Sequence, residues 1–81
     1  MKGIILDVKN LAGETPLMIA CREGKTAIVN MLLTTYKEGI KIDEKSLDGW
    51  TALMYAGFNG YLSIFNQLVK SGANMYIFDR V

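Results

Sequence analysis

Apolar residues fall in two short helical patterns, each closed by a glycine, and the pair then occurs a second time. Leu17, Ala20 and Cys21 stand at i, i+3 and i+4, a narrow face of small or compact apolar side chains. Thr15-Pro16, just ahead of them, predicts a helix start. The threonine hydroxyl accepts from a free N–H of the first turn, and proline is tolerated at the first helical position. Gly24 stops this helix after about two turns, because glycine takes the left-handed conformation without a Cβ penalty. Ile28, Val29, Leu32 and Leu33 form a second stripe at i, i+1, i+4 and i+5. That spacing predicts a helix starting near Thr26, packed on a neighbour and ended by Gly39. Helices this short are marginal in water, so their stability must come from packing.

The cycle then restarts. Gly13-Glu14-Thr15-Pro16-Leu17-Met18-Ile19-Ala20 returns as Gly49-Trp50-Thr51-Ala52-Leu53-Met54-Tyr55-Ala56. Asn10-Leu11-Ala12-Gly13 predicts a type I β-turn, and Ser46-Leu47-Asp48-Gly49 repeats it. Leu53, Ala56 and Gly57 repeat the small face, Gly60 the stop, and Ile64, Phe65, Leu68 and Val69 the second stripe, which Gly72 ends. The offset is 36 residues as far as Leu33 and Val69, and 33 from Gly39 to Gly72. The extra three residues lie in Thr34-Thr35-Tyr36-Lys37-Glu38, where the second unit has only Lys70-Ser71. Three residues is nearly one helical turn of about 3.6, so the second helix of the first unit is expected to be one turn longer.

At this point the residues resemble a family. Gly-x-Thr-Pro-Leu-x-x-Ala, a glycine four residues on, then Ile-Val-x-x-Leu-Leu, is similar to the ankyrin repeat, whose period is about 33 residues. Residues 13–33 match this pattern, and residues 49–73 match it again, leading into Gly72-Ala73-Asn74. Gly3-Ile4-Ile5-Leu6-Asp7 resembles the segment that ends one repeat, and Phe78-Asp79-Arg80 the start of a further turn. The resemblance implies an all-α fold, an ankyrin-like solenoid of helix-turn-helix units joined by short β-hairpin loops. Its expected divisions are a partial hairpin segment at 1–9, a repeat at 10–45, a repeat at 46–78, and the start of another turn at 79–81.

Three departures stand out. Met18 and Met54 occupy the position where the family usually has a histidine that ties adjacent hairpin loops together. A thioether offers little hydrogen bonding, so packing must replace that link. Gly57 stands where alanine is common, and Ala52 replaces the helix-starting proline. Solenoid units need about three stacked repeats to bury their faces. With two helical pairs visible, the chain is expected to be part of a longer array or to self-associate through uncapped repeat ends.

Composition narrows the function. The chain is 51% hydrophobic and 21% charged, which fits a folded domain. Nine basic and eight acidic side chains leave a net charge of +1, so nothing argues for nucleic acid or an anionic membrane as partner. No apolar run approaches the length of a membrane span or a signal peptide core. One cysteine, Cys21, excludes an internal disulfide and points to an intracellular, reducing setting, with the cytoplasm the expected compartment. There is no histidine, hence no histidine-based triad and no base poised near neutral pH. Cys21 lies on a small apolar helix face, as a structural thiol does. One cysteine and scattered carboxylates form no metal site, and single glycines form no phosphate loop, so neither catalysis, metal nor cofactor is expected.

The resemblance implies instead a concave face that binds proteins. Carried over by position, it takes in Leu11, Ala12, Glu14, Arg22 and Glu23 from the first unit. Leu47, Asp48, Trp50, Phe58 and Asn59 supply it from the second. Trp50, Phe58 and Arg22 are the expected anchors for a protein or peptide, since aromatics and arginine are enriched at interface hot spots. The competing reading is a structural spacer, in which Trp50 covers the neighbouring hairpin and no outside partner is bound. Tyr55 is expected to pack between repeats, and Phe65 in the core.

Overall fold

A computed structural model of the chain describes residue 6 and residues 8–76. Four α-helices fill nearly half of that length: α1 (Pro16–Arg22), α2 (Thr26–Thr34), α3 (Ala52–Asn59) and α4 (Leu62–Lys70). α1 packs on α3 and α2 on α4, while α1 also packs on α2 and α3 on α4. The result is two layers, with each repeat contributing one antiparallel pair. Apart from Leu6, the segment 3–7 and the turn at 78–80 lie outside the described residues.

Each local signal has a physical counterpart. Thr15 Oγ1 accepts from Met18 N at 3.2 Å, and Thr51 Oγ1 from Met54 N at the same distance. The helix stops repeat too: past each positive-φ glycine, a backbone N–H reaches back five residues, Lys25 to Ala20, Tyr61 to Ala56 and Ala73 to Leu68. The tight turns close from Gly13 N to Asn10 O and from Gly49 N to Ser46 O, both 2.9 Å. Beside them, Asn10 N to Glu14 O and Ser46 N to Trp50 O give the loops a hairpin-like form, with no strand among the described residues.

The lengthened helix is not found. α2 and α4 are both nine residues long, and the three extra residues contribute to a separate 3₁₀ turn, Lys37–Gly39. Gly39 therefore ends that turn and not α2, and it has no positive φ. The side chain of Leu6 lies against Gly39, so a Cβ there would sit 2.7 Å from Leu6 Cδ1.

The core runs through both layers and includes Leu17, Met18, Cys21, Val29, Leu53, Ile64 and Leu68. One stripe residue departs from it. Ile28 is 45% exposed, whereas its counterpart Ile64 is 1% exposed. The second repeat covers one side of the first, and Ile28 stands outside that contact. Two glycines show how close the repeats come. A Cβ on Gly13 (φ +76°) would meet Leu47 N at 2.8 Å, and one on Gly24 (φ +70°) would meet the Tyr61 ring at 3.0 Å. Their counterparts Gly49 and Gly60 have no such neighbour within 4 Å.

Candidate functional site

The turn tips and the outer side of α1 and α3 carry the expected binding positions, and the two repeats fill them with different chemistry. In the first repeat the centre is Glu14. Its two carboxylate oxygens receive four hydrogen bonds: Oε1 from Asn10 Nδ2 (2.9 Å) and Arg22 Nη2 (3.0 Å), Oε2 from Tyr55 OH (2.7 Å) and Arg22 Nε (3.2 Å). Glu14 is only 7% exposed, so its carboxylate is committed to partners within the chain. Its charge is turned inward because the tip holds Asn10 beside it and α1 holds Arg22 two turns on. The Tyr55 bond crosses from α3, joining the repeats.

These contacts set the protonation states. The Glu14 carboxyl is held below its ordinary value, first by the Tyr55 hydrogen bond and then by Asn10 and Arg22, against the opposing effect of burial. Burial pushes the Tyr55 phenol up, and so does its bond to Glu14. Arg22 is pushed up chiefly by the bond to Glu14. Its Nη1 also donates to Glu23 Oε2 at 2.6 Å, so one guanidinium serves two carboxylates.

In the second repeat the corresponding positions are aromatic. Trp50 stands where Glu14 does, and Phe58 where Arg22 does. The Trp50 ring lies 5.1 Å from that of Tyr55 and 4.9 Å from that of Phe58, both tilted. Trp50 is half-buried and Phe58 is 53% exposed. Asn59 Nδ2, next to Phe58 at the end of α3, approaches the backbone Arg22 O at 3.5 Å, a second link from α3 to α1. Arg22, Glu23, Trp50, Phe58 and Asn59 thus form one connected surface, while Leu47 and Asp48 stand exposed at the tip. Leu47 N donates to Ala12 O at 3.0 Å. That backbone bond couples the two tips without a histidine, and Met18 and Met54 are buried beneath them.

The sequence reading missed the part played by Asn10. Its Oδ1 accepts from Ala12 N (3.0 Å) and Glu14 N (2.9 Å) while its amide holds Glu14 Oε1. The signal was present: asparagine at the start of a turn routinely bonds the backbone two residues on.

Cys21 is buried, and burial pushes its thiol up to about 12. Such a thiol carries almost no thiolate at neutral pH. Among the described residues no three histidine, cysteine or acidic side chains converge as metal ligands. Among the same residues no helix is long and apolar enough to cross a membrane.

Known proteins agree with this architecture. A family profile described as ankyrin repeats, three copies, matches residues 2–79. No curated protein matches. Among solved structures, the chain is similar to one from the complex of the predatory endopeptidase Bd0816 of Bdellovibrio bacteriovorus with immunity protein Bd3460. The TM-score is 0.79 and the identity 34%, over 90% of this chain and 36% of that one. This chain therefore spans about a third of the length of the solved chain it matches. Ankyrin repeats are generally protein-interaction modules without catalysis. Four helices in two stacked pairs, and a profile spanning nearly the whole sequence, place this chain in the ankyrin repeat family.

Proposed function

We propose that this chain is a non-catalytic module that binds a protein or peptide through the face formed by Arg22, Glu23, Leu47, Asp48, Trp50, Phe58 and Asn59. The observation that carries the reading is Phe58, a large apolar side chain half exposed on a helix and backed by Trp50. The repeat does not need it there: the first repeat has Arg22 at the same position and folds alike. Binding uses rigid display. Tips and helix faces are fixed before contact, so little ordering entropy is lost on association. The likeness to a chain from an endopeptidase–immunity protein complex supports a protein partner. A single buried thiol supports an intracellular, cytoplasmic setting.

The spacer reading has its own observation. Trp50 stacks on Tyr55, whose hydroxyl anchors Glu14, so Trp50 also serves stability. Phe58→Ala separates the two readings. The wild-type chain and the variant are used side by side to capture proteins from extracts of the source cells, with circular dichroism confirming both are folded. A protein held by the wild type and lost by the folded variant supports binding. Equal capture by both, or none by either, favours the spacer.

A further inference from the structure

The charge on the proposed face is lopsided, and it limits what can dock there. Glu23 and Asp48 bring two exposed carboxylates to it, with the Glu14 carboxylate buried beside them, and Arg22 is the one cation among its residues. Arg22 is already engaged on both sides, by Glu14 through two bonds and by Glu23 through a third. Asp48 has no ion pair among the described residues.

Of the neighbouring lysines, Lys9 is engaged elsewhere, and neither Lys25 nor Lys45 forms an ion pair with a carboxylate of this face among the described residues. Lys9 pairs with Glu44 at 2.6 Å. The exposed faces of aromatic rings add negative potential, which attracts a lysine or arginine.

We infer that the partner segment presents a lysine or arginine beside an apolar side chain, with the apolar group on Phe58 and the cation facing Glu23, Asp48 and the Trp50–Phe58 ring faces. This rests on the binding reading above. An acidic segment meets the unpaired Asp48 and a Glu23 that shares its one cation with Glu14, and is repelled, whereas a basic one gains both attraction and faster encounter.

A random dodecapeptide phage library panned on the whole chain tests it. The expected result is enrichment of peptides with a basic residue next to a leucine, isoleucine or aromatic residue. Their affinity falls about tenfold or more with Phe58→Ala. It falls about fivefold with Glu23→Gln and Asp48→Asn together, and weakens as salt is raised. Both substitutions are at exposed sites, so folding is retained and is checked by thermal melting. Peptides that need Phe58 but are neutral or acidic, and are indifferent to the Glu23/Asp48 pair, overturn the inference while leaving the binding reading intact. If no selected peptide needs Phe58, the binding reading falls, and this inference with it.

Discussion

Glu14 and Trp50 occupy the same position in successive repeats, as do Arg22 and Phe58, yet one pair forms an ion network and the other an aromatic cluster. The backbone beneath them is nearly the same: a turn closed at 2.9 Å, a threonine cap at 3.2 Å and a left-handed glycine at the helix stop. The scaffold therefore does not dictate this surface chemistry. The two clusters still depend on each other, because Tyr55 stacks on Trp50 with its ring and bonds Glu14 with its hydroxyl. A second difference concerns coverage. Gly13 and Gly24 lie under Leu47 and Tyr61, while Gly49 and Gly60 have open space. Equivalent residues in the two repeats thus have unequal energetic roles.

The most disruptive way to probe that inequality is the glycine pair. Alanine at Gly13 or Gly49 must take a positive φ, which costs about 1 kcal/mol at either site. At Gly13 the new Cβ also lands 2.8 Å from Leu47 N, and backbone cannot yield as a side-chain tip does. Gly13→Ala is therefore expected to lose about 3 kcal/mol, against about 1 for Gly49→Ala, by urea unfolding. Equal losses would mean that the repeats do not interlock at the tips.

Removal of Glu14 ranks next. Glu14→Ala strands Tyr55, Asn10 and Arg22 without their shared acceptor, an expected loss of about 2 kcal/mol. Trp50→Ala loses stacking and part of a half-buried ring, about 1.5 kcal/mol. Because both meet at Tyr55, the double variant should lose less than the sum of the single losses, and additive losses in a double-mutant cycle would show the clusters to be independent.

The pH profile sharpens the contrast further. With its carboxyl held below the ordinary 4.5, Glu14 binds fewer protons folded than unfolded. Its contribution is present above about pH 4.5 and is lost as pH falls through the folded value. Glu44, lowered by Lys9, adds to the same acid limb. Cys21 acts at the other extreme. Unfolded, its thiol ionises from its ordinary 9.0, while folded it resists up to about 12, so stability declines as pH rises across that interval. Tyr55, also pushed up, reinforces the alkaline decline. Urea midpoints measured against pH should show a plateau between these limbs, and Glu14→Gln should flatten the acid limb while leaving the Cys21 contribution to the alkaline one. The smallest stability effect belongs to Phe58→Ala, under about 1 kcal/mol for a half-exposed ring. A larger loss would move Phe58 from display into the scaffold.

What the sequence made legible was local. Turn, cap and glycine stop are specified within a few residues of each other, so both repeats and their phase could be read without a structure. The inward turn of Glu14 was not legible, because its hydrogen-bond donor Tyr55 lies 41 residues away. Ile28 is a parallel case. Its stripe position announces a packing face but is silent on whether a neighbour occupies it. The residues between Leu33 and Gly39 were recognisable as an insertion, yet a near-turn length suggested continued helix where a separate 3₁₀ turn forms. The exposure of Phe58 was legible because its position lies off the periodic core stripe.

The buried thiol has a further consequence. Cys21 is the chain's only cysteine, and a reagent that attacks thiolates meets it only when α1 swings clear of its packing. The labelling rate then measures how often the molecule breathes open, one event at a time. Anything that clamps the stack, whether another repeat or a captured ligand, slows that clock in proportion to its grip.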